Sequence, residues 1–319
     1  MQSIESNRNS TFPLAVVTGA ARGIGKATAE LLALEKAYNV ILVVRDEILG
    51  KSVEAELRKS WQHVHCIVCP DLGSYKNVKN LQKEIQHEKF SGSPVKILIN
   101  CASECPSNQV FRKRLRKRLP RSNQTDSKEE EIVEEQVDAQ FSSNVLAYHF
   151  MIKAFFQDTN ITHQPYIVNV ASNWAGDVNL DDFSFLRRAY DNDSAYRQSK
   201  AFDRMLTKLW ADYFQNQREM PGSQNESISS SSHNVMVNSC HPGDPCTKLS
   251  TALGYNLHAS KDCRSSCTSV MLLALHAKSS GGWYEADGSK RFCVYMSDKC
   301  KEEREKLWEI CESFAVYDL

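Results

Sequence analysis

The chain lacks both a net charge and long hydrophobic runs. Its 319 residues carry 39 Lys and Arg against 39 Asp and Glu, which gives a formal net charge of zero at pH 7. No overall positive field therefore attracts phosphates, and a broadly basic nucleic-acid binder is excluded. No stretch reaches the roughly 18 consecutive apolar residues that a membrane-spanning helix needs. Hydrophobic residues still make up 41% of the chain, enough to bury a core, so dominant disorder is excluded as well.

Targeting signals are also missing from the sequence. The segment from Met1 to Pro13 lacks the apolar centre of a secretory signal, and Val316 to Leu319 carries no retention or lipidation signal. The 11 cysteines fall in different kinds of segment, even where they form close pairs, so convergence on a zinc ion is not indicated. We therefore expect reduced, mostly buried thiols, no metal site and an intracellular, cytoplasmic protein. The close pairs are Cys66/Cys69, Cys101/Cys105 and Cys263/Cys267.

Short apolar runs alternate with longer helical patterns from residue 14 onward. Repeated strand–helix units of this kind predict a doubly wound α/β fold, in which helices cover both faces of a parallel sheet. The runs predict strands at Leu14–Thr18, Val40–Val44, Val64–Cys69, Lys96–Ile99, Tyr166–Ala171, Val235–Cys240 and Phe292–Tyr295. Helical spacing predicts helices at Ile24–Lys36, Glu47–Lys59, Ser74–Glu88, Ala195–Phe214, Arg264–Ala277 and Asp298–Ser313.

Two segments interrupt this alternation. Residues 103–138 are long, charged and poor in strand signal, whereas residues 218–234 include a serine run that is typical of a flexible surface insertion. We therefore divide the chain into an N-terminal lead, 1–12, and a single domain, 13–315, that contains these two insertions.

A glycine-rich turn, Thr18-Gly19-Ala20-Ala21-Arg22-Gly23-Ile24-Gly25, lies between the first predicted strand and helix. Glycines let the backbone approach a bound pyrophosphate, which the free amides of the helix N-terminus then hold. A purely structural turn also uses glycine, but this position in a βαβ unit favours nucleotide binding. Arg22 and Arg45, which follows the second strand, suit a 2′-phosphate and favour NADP(H) over NAD(H). Solvated surface arginines, with Asp46 as a ribose ligand, are the alternative interpretation.

Four further polar positions suggest catalysis. Tyr196 and Lys200 stand four residues apart in a predicted helix and so share one face. The ammonium stabilises tyrosinate, so we expect the pKa of Tyr196 to fall from about 10 towards the working range. Ser172 follows a strand at the edge where parallel sheets bind ligands, where it either bonds a substrate carbonyl or caps a turn. Asn144 lies in a predicted helix and is either a functional amide or a core amide that backbone groups satisfy. Chance also places Tyr and Lys at this spacing in many helices.

Together these motifs resemble the short-chain dehydrogenase/reductase family over about residues 12 to 315. In chain order they are Thr18-Gly19-x3-Gly23-Ile24-Gly25, Asp71-Leu72, Asn100-Cys101-Ala102, Asn144, Ser172, Tyr196-x3-Lys200 and Pro242-Gly243-x3-Thr247. The resemblance implies a Rossmann-type sheet and an oxidoreductase with Tyr196 as general acid/base and Ser172 polarising the carbonyl. Lys200 would lower the pKa of Tyr196 and hold the nicotinamide ribose, while Asn144 would support Lys200 through a water.

The resemblance also implies a set of cofactor contacts. Asp71 would meet the adenine, Asn100 would steady the sheet beside the cofactor, and Thr247 would contact the nicotinamide end. The chain departs from the family pattern at Cys101-Ala102, Ala147 and Pro245. Other stretches resemble the retinol dehydrogenase, carbonyl reductase and WW-domain oxidoreductase branch, which implies a small lipophilic carbonyl or alcohol substrate. They are Val43–Asp46, the gap from Ser172 to Tyr196, Gly281–Tyr284 and Lys306–Glu309.

The zero net charge conceals two opposed blocks. Residues 112–121 contain seven basic side chains in ten, and residues 126–138 contain seven acidic side chains in thirteen. Phe111, Leu115 and Leu119 recur every four positions, which predicts a cationic amphipathic helix through 111–121 that contacts an anionic membrane or a protein. An exposed insertion whose blocks neutralise each other is the alternative, and a lid over the substrate is a third interpretation. Nucleic-acid binding is disfavoured, and homo-oligomerisation stays open.

Two function classes follow from these features. The complete set of Asn144, Ser172, Tyr196 and Lys200 favours an NADP(H)-dependent oxidoreductase. The charge blocks and the departures near the nicotinamide favour a catalytically weak NADPH-binding interaction or redox-sensing protein that acts through the insertion at 103–138. Substrate identity and reaction direction are not encoded in any of these patterns.

Overall fold

The computed structural model describes residues 12–87, 90, 92–118, 131–157, 159, 161–219, 234–245, 247–254 and 262–317. Within these residues the strands are β1 Leu14–Thr18, β2 Asn39–Val44, β3 Val64–Val68, β4 Val95–Asn100, β5 Phe111–Arg118, β6 Glu131–Asp138, β7 Tyr166–Val170, β8 Met236–Cys240, β9 Trp283–Tyr284 and β10 Lys290–Arg291. The α-helices are α1 Gly23–Leu34, α2 Glu47–Leu57, α3 Tyr75–Gln86, α4 Ala147–Phe156, α5 Asn192–Glu219, α6 Lys248–Ala252, α7 Thr268–His276 and α8 Lys301–Ser313.

Eight of these strands form one twisted sheet in the order β10-β9-β8-β7-β4-β1-β2-β3. Every pair from β9 to β3 is parallel, and only β10 runs antiparallel to its neighbour. Strand β1 is central, and all five of its residues are buried. Leu14 and Val16 pack on one face while Ala15 and Val17 pack on the other, as the alternation of side chains along a strand requires. The predicted doubly wound parallel sheet of Rossmann type is confirmed.

Helices cover both faces of the sheet. Helices α3, α4, α5 and α8 supply the apolar side chains of one layer, which includes the fully buried Trp210. Helices α1, α2 and α7 supply the other layer, through residues such as Ala27, Val53 and Leu273. Among the described residues, no helix combines the length and the apolar character that crossing a bilayer requires.

The prediction of a strand at Phe292–Tyr295 is wrong. Two short strands, β9 and β10, come earlier, and residues Val294–Met296 form a 3₁₀ turn. The side chains explain the difference, because Cys293 and Met296 are buried whereas Phe292 is 80% exposed. A spacing of three residues between inward-facing side chains matches a 3₁₀ turn, whereas a strand would alternate.

The predicted cationic helix through 111–121 is also wrong. Residues Phe111–Arg118 form strand β5, which pairs antiparallel with Glu131–Asp138 of β6; we call this pair the β5–β6 ribbon. A spacing of four residues fits one face of a strand as well as one face of a helix, so the spacing of Phe111 and Leu115 could not distinguish the two structures. Leu119, the third residue of the pattern, lies outside the described residues. The ribbon places the basic block beside the acidic block, with ion pairs from Lys113 to Glu134 at 2.8 Å and from Arg116 to Glu135 at 3.0 Å.

Two other expectations concern the cysteines and the second insertion. The ten cysteines that the structure describes are all free; five are buried and five are half-buried. Helix α5 continues to Glu219, and most of the predicted insertion at 218–234 lies outside the described residues, as does nearly all of the lead at 1–12.

A carboxylate attaches the last helix to the core. Glu312 of α8 lies 2.8 Å from Nε2 of the buried His149 and 2.8 Å from Nζ of Lys153, both on α4. Burial alone would raise the pKa of the Glu312 carboxyl, but its hydrogen bonds and the charges of these two partners lower the pKa to about 2. A depressed carboxyl pKa contributes stability that is present above its unfolded value of about 4.5 and is lost as the pH falls towards 2.

We expect Glu312→Gln to lower the free energy of unfolding at pH 7 by about 1–3 kcal/mol, because a charged hydrogen-bond acceptor is removed from His149 and Lys153. Urea denaturation between pH 2 and pH 7 measures this, and the acid limb of the stability curve should flatten in the variant. Glu309→Gln, at an exposed position of the same helix, is the matched control. An unchanged acid limb in Glu312→Gln would contradict the assignment.

Candidate active site

The parallel strands end at one edge of the sheet, and the turn after β1 is tightly packed there. Gly19 and Gly23 have φ values of +69° and +55°, in the left-handed region that favours glycine. A Cβ atom on Gly19 would lie 2.8 Å from Cα of Ala102, and one on Gly25 would lie 2.4 Å from the carbonyl oxygen of Gly19. Glycine is therefore needed at Gly19 for both conformation and space, at Gly23 for conformation and at Gly25 for space.

Thr18 holds this turn against the segment that follows β4. Its buried hydroxyl donates to the carbonyl oxygen of Ile99 at 3.3 Å and accepts the amides of Cys101 at 2.9 Å and Ala102 at 3.1 Å. Asn100, also buried, donates to Oδ1 of Asn169 at 2.9 Å and so links β4 to β7. The ends of three neighbouring strands are thus cross-linked by polar side chains.

The N-terminus of α1 has the features of an anion site. No side chain caps it, since Arg22 at the N-cap position makes no capping bond and the first turn contains no acidic residue. Arg22 is exposed, whereas Ile24 is buried in the helix. Uncapped amides at a helix start favour a phosphate group, so these residues fit the pyrophosphate of a dinucleotide.

The segment after β8 closes over the same turn. Pro242 is buried and Gly243 has a φ value of +91°. Thr247 begins α6, where its hydroxyl accepts the amide of Ser250 at 3.1 Å. A Cβ atom on Gly23 would lie 3.3 Å from Cγ2 of Thr247. The structure therefore brings the glycine turn and the Pro-Gly-x3-Thr motif together.

The predicted adenosine contacts are bonded to the insertion. The guanidinium of the exposed Arg45 lies 3.2 Å from Oε2 of Glu104. Oδ2 of Asp71 accepts a 2.7 Å bond from Arg114 of β5, and its Oδ1 accepts the amide of Gly73 at 2.9 Å. Leu72 is half-buried and packs against the core. A dinucleotide that used Arg45 and Asp71 would therefore have to share or displace these partners.

Strand order shows where these bonds lie. Because β1 lies between β4 and β2, the pair of Arg45 and Glu104 crosses the end of β1, above the glycine turn. Arg112 of β5 approaches the other oxygen of Glu104 at 3.3 Å. The insertion therefore contacts this edge of the sheet at the two predicted adenosine contacts, Arg45 and Asp71.

Ser172, Tyr196 and Lys200 come together beside the ends of β7 and α5. Tyr196 is 6% exposed and Lys200 is 2% exposed, so both are almost removed from water. The Lys200 ammonium lies 5.9 Å from the centre of the Tyr196 ring. The Ser172 hydroxyl accepts the amide of Trp174 at 3.2 Å and also acts on the phenol of Tyr196. This arrangement places a phenol, a hydroxyl and a cation at the ligand-binding edge of the sheet.

The protonation of Tyr196 differs from the expectation. Burial raises the pKa of the phenol above its usual value of 10, although the Lys200 charge and the Ser172 hydroxyl act to lower it. The expected fall of this pKa is therefore wrong for the protein alone. Burial disfavours the charged phenolate more strongly than the Lys200 charge stabilises it. At neutral pH the phenol is protonated and can donate its proton.

Asn144 lies in a π-helical turn, Phe141–Leu146, directly before α4. Its amide binds both backbone groups of Glu104, accepting the Glu104 N–H at 2.9 Å and donating to the Glu104 carbonyl at 3.1 Å. A third bond runs from its Nδ2 to Oγ of Ser199 at 3.0 Å. Asn144 thus ties the segment after β4 to helix α5, one residue from Lys200.

Sequence reasoning missed several charged residues of this site. Asp203 accepts a 2.9 Å bond from Lys200, and its position three residues later on one helix face was a usable signal. Glu104, Arg112 and Arg114 carried no such signal, because their partners lie on other elements. Within the described part of the chain, no group of three or more His, Cys, Asp or Glu side chains could hold a metal ion.

Comparison with known proteins agrees with this geometry. A family model described as short chain dehydrogenase matches residues 13–218. Human retinol dehydrogenase 13 is 28% identical over 247 residues, which are 75% of this chain and 61% of that protein. The chain thus spans about three fifths of the length of this curated relative.

Solved structures share the fold at low identity. An uncharacterized protein from Mycobacterium paratuberculosis superposes with a TM-score of 0.63 at 18% identity, covering 96% of this chain and 95% of that one. A short chain dehydrogenase from Shigella flexneri, complexed with NADP, gives a TM-score of 0.58 at 17% identity, covering 86% of this chain and 96% of that one. These similarities establish the fold.

We expect Gly19→Ala to lower the free energy of unfolding by about 2 kcal/mol or more, because the new Cβ meets the Ala102 backbone in a left-handed conformation. Gly92→Ala is the matched control, since Gly92 has a φ value of +80° but nothing within 4 Å of its Cβ position; its cost should be about 1 kcal/mol. Chemical denaturation of both variants measures the difference. Equal losses of unfolding free energy in the two variants would contradict a steric role for the close approach at Gly19.

Proposed function

The chain belongs to the short-chain dehydrogenase family, and on that basis we propose that it is an NADP(H)-dependent oxidoreductase that interconverts a lipophilic alcohol and its aldehyde or ketone. The observation that carries the proposal is the buried Tyr196 phenol, which lies with Ser172 and Lys200 at the carboxyl edge of the sheet. A phenol positioned in this way can transfer a proton to or from a reacting oxygen.

Each polar residue has a distinct part in the proposed reaction. The Ser172 hydroxyl would hold the substrate carbonyl, and the protonated Tyr196 would donate its proton to the developing alkoxide. When bound, the nicotinamide supplies or accepts the hydride. Lys200 would hold the ribose and stabilise the tyrosinate that remains. Asn144 would keep the segment after β4 and helix α5 in register through its bonds to Glu104 and Ser199.

The residues at the glycine turn support a dinucleotide, and Arg45 supports the phosphorylated form. Gly19, Gly23 and the uncapped start of α1 would receive the pyrophosphate. Arg45, at the end of β2, would exchange the Glu104 carboxylate for the 2′-phosphate, since guanidinium groups bind both anions with similar geometry. Asp71 would meet the adenine once Arg114 shares or releases its carboxylate.

The surroundings of Ser172 support a lipophilic substrate. Trp174, two residues further on, is half-buried at this edge. Helix α6 contains no buried residue, and its Ala252 carbonyl accepts a 3.4 Å bond from Asn192 at the start of α5. An apolar substrate between these elements would bury surface that is now exposed to water. The sequence similarity to retinol dehydrogenase 13 also supports a lipophilic substrate.

One observation favours a second candidate function, a catalytically weak NADPH-binding protein that senses redox state. Both predicted adenosine contacts, Arg45 and Asp71, are bonded to the inserted segment. Cofactor binding would therefore change the contacts of the β5–β6 ribbon, and a partner could read that change. Tight NADPH binding without turnover on any carbonyl would favour this candidate over the enzyme.

We expect Tyr196→Phe to lower turnover by about 100-fold or more, because the variant retains the ring but loses the transferable proton. NADPH oxidation with a panel of retinal, steroid ketones and small quinones measures this. Tyr213→Phe is the matched control, since Tyr213 lies on the same helix and makes ring contacts with Trp210 and Trp308. Full turnover in Tyr196→Phe would refute its assigned role.

Cofactor choice should depend on Arg45. We expect Arg45→Asp to raise the Kd for NADPH by about 10-fold or more, since a charged hydrogen bond to the 2′-phosphate is replaced by repulsion, and to change the Kd for NADH little. Glu104→Gln should act in the opposite direction and tighten NADPH binding, because it frees Arg45. Titration of nicotinamide fluorescence measures both. Equal effects on the two cofactors would contradict the 2′-phosphate contact.

A further inference from the structure

A buried carboxylate faces the cation of the proposed active site. Asp203 has no solvent exposure, and its Oδ2 lies 2.9 Å from Nζ of Lys200. Its Oδ1 has no hydrogen-bond partner among the described residues. Burying a charge pair is costly, and a carboxylate with a single charged partner is poorly compensated. Asp203 therefore interacts mainly with Lys200.

The position of Lys200 follows from this contact. Its ammonium has three N–H donors; one binds Asp203 and a second binds the carbonyl oxygen of Val170 at 3.1 Å. It also lies 5.3 Å from the Tyr148 ring centre and 5.9 Å from that of Tyr196. Two of the three donors thus point towards the sheet and helix α5, and one is left for the ribose or the phenol.

We infer that Asp203 is a positioning residue that holds Lys200 and, by neutralising its charge, keeps Tyr196 in the proton-donating form that carbonyl reduction needs. The inference rests on the proposed function, in which Tyr196 is the general acid/base. It goes beyond that function by assigning control of the pH at which Tyr196 changes protonation to a residue that contacts neither substrate nor cofactor. Asp203 acts through Lys200 and through its own field at the phenol.

The electrostatics of the cluster agree with this role. Burial raises the pKa of the Asp203 carboxyl to about 7, against the lowering effect of Lys200. Burial would lower the pKa of Lys200, but the charge of Asp203 raises it overall, and the charge of Asp203 also raises the pKa of Tyr196. Loss of the Asp203 charge would therefore leave Lys200 uncompensated and make tyrosinate easier to form.

Other groups around the cluster do not change charge near neutral pH. Burial raises the pKa of Cys101 and of Cys105 to about 12 and that of Tyr148 and Cys311 well above their ordinary values. Arg204, the neighbour of Asp203, donates to the Ser172 carbonyl and stacks on Trp283, and it stays charged throughout. Within the described chain, Asp203 and Lys200 thus form the coupled charge pair of this cluster.

The test is the pH profile of Asp203→Asn in the full chain, followed as NADPH-dependent reduction and NADP-dependent oxidation. Both profiles should move to lower pH by about one unit, because removal of a negative charge stabilises tyrosinate. Asp212→Asn is the matched control, since Asp212 pairs with Lys208 further along the same helix. A loss of activity at every pH without a shift of the profile would overturn the inference.

A second measurement covers the case in which Asp203→Asn does not fold, because it leaves Lys200 unpaired. Ultraviolet absorbance of tyrosinate is compared between Lys200→Met and the double variant Lys200→Met/Asp203→Asn, with Tyr196→Phe in each background to isolate the Tyr196 signal. The phenol should ionise at lower pH in the double variant. Identical ionisation would overturn the direct effect of the Asp203 charge on the phenol.

These outcomes separate the inference from the proposed function. Absence of turnover in the wild-type chain, or full turnover in Tyr196→Phe, would contradict the proposed function. The absorbance titration needs neither substrate nor cofactor, so it tests the effect of Asp203 on Tyr196 in either case.

Discussion

The close approach of the turn after β1 to the segment after β4 is the constraint on which the rest of the site depends. Gly19 lies against the backbone of Ala102 with no space for a Cβ atom, and the Thr18 hydroxyl binds two amides of the same segment. This contact sets the path of the chain to Glu104, whose backbone binds Asn144 on both sides. One local contact therefore orients the glycine turn, the start of α4 and the insertion relative to one another.

The two charge blocks that balance each other in the sequence lie side by side in the structure. The basic and acidic blocks of the insertion pair with each other in the β5–β6 ribbon, and the half-buried arginines of β5 alternate with exposed residues. Those arginines reach Asp71, Glu104 and Glu135. These arginines of β5 are therefore paired with carboxylates and do not form an open cationic face.

The buried charges around Tyr196 oppose one another. Lys200 stabilises tyrosinate, whereas burial and the carboxylate of Asp203 favour the neutral phenol. The result is a protonated Tyr196 at neutral pH, which suits a proton donor. The same elements that exclude water from the site make each of these interactions stronger, because the effective dielectric constant is lower there.

Local patterns predicted the parallel sheet, its covering helices and the positions of Tyr196 and Ser172, because hydrophobic period and strand ends are properties of neighbouring residues. They failed where one spacing fits two structures, as at Phe111 and Leu115, or where only burial distinguishes a strand from a turn, as at Phe292. The sequence by itself determined the fold class and the set of polar groups at the carboxyl edge. Only the tertiary structure decided their partners, since Arg45 meets Glu104 across 59 residues and Arg114 meets Asp71 across 43, and no local signal connects charges that far apart in the chain.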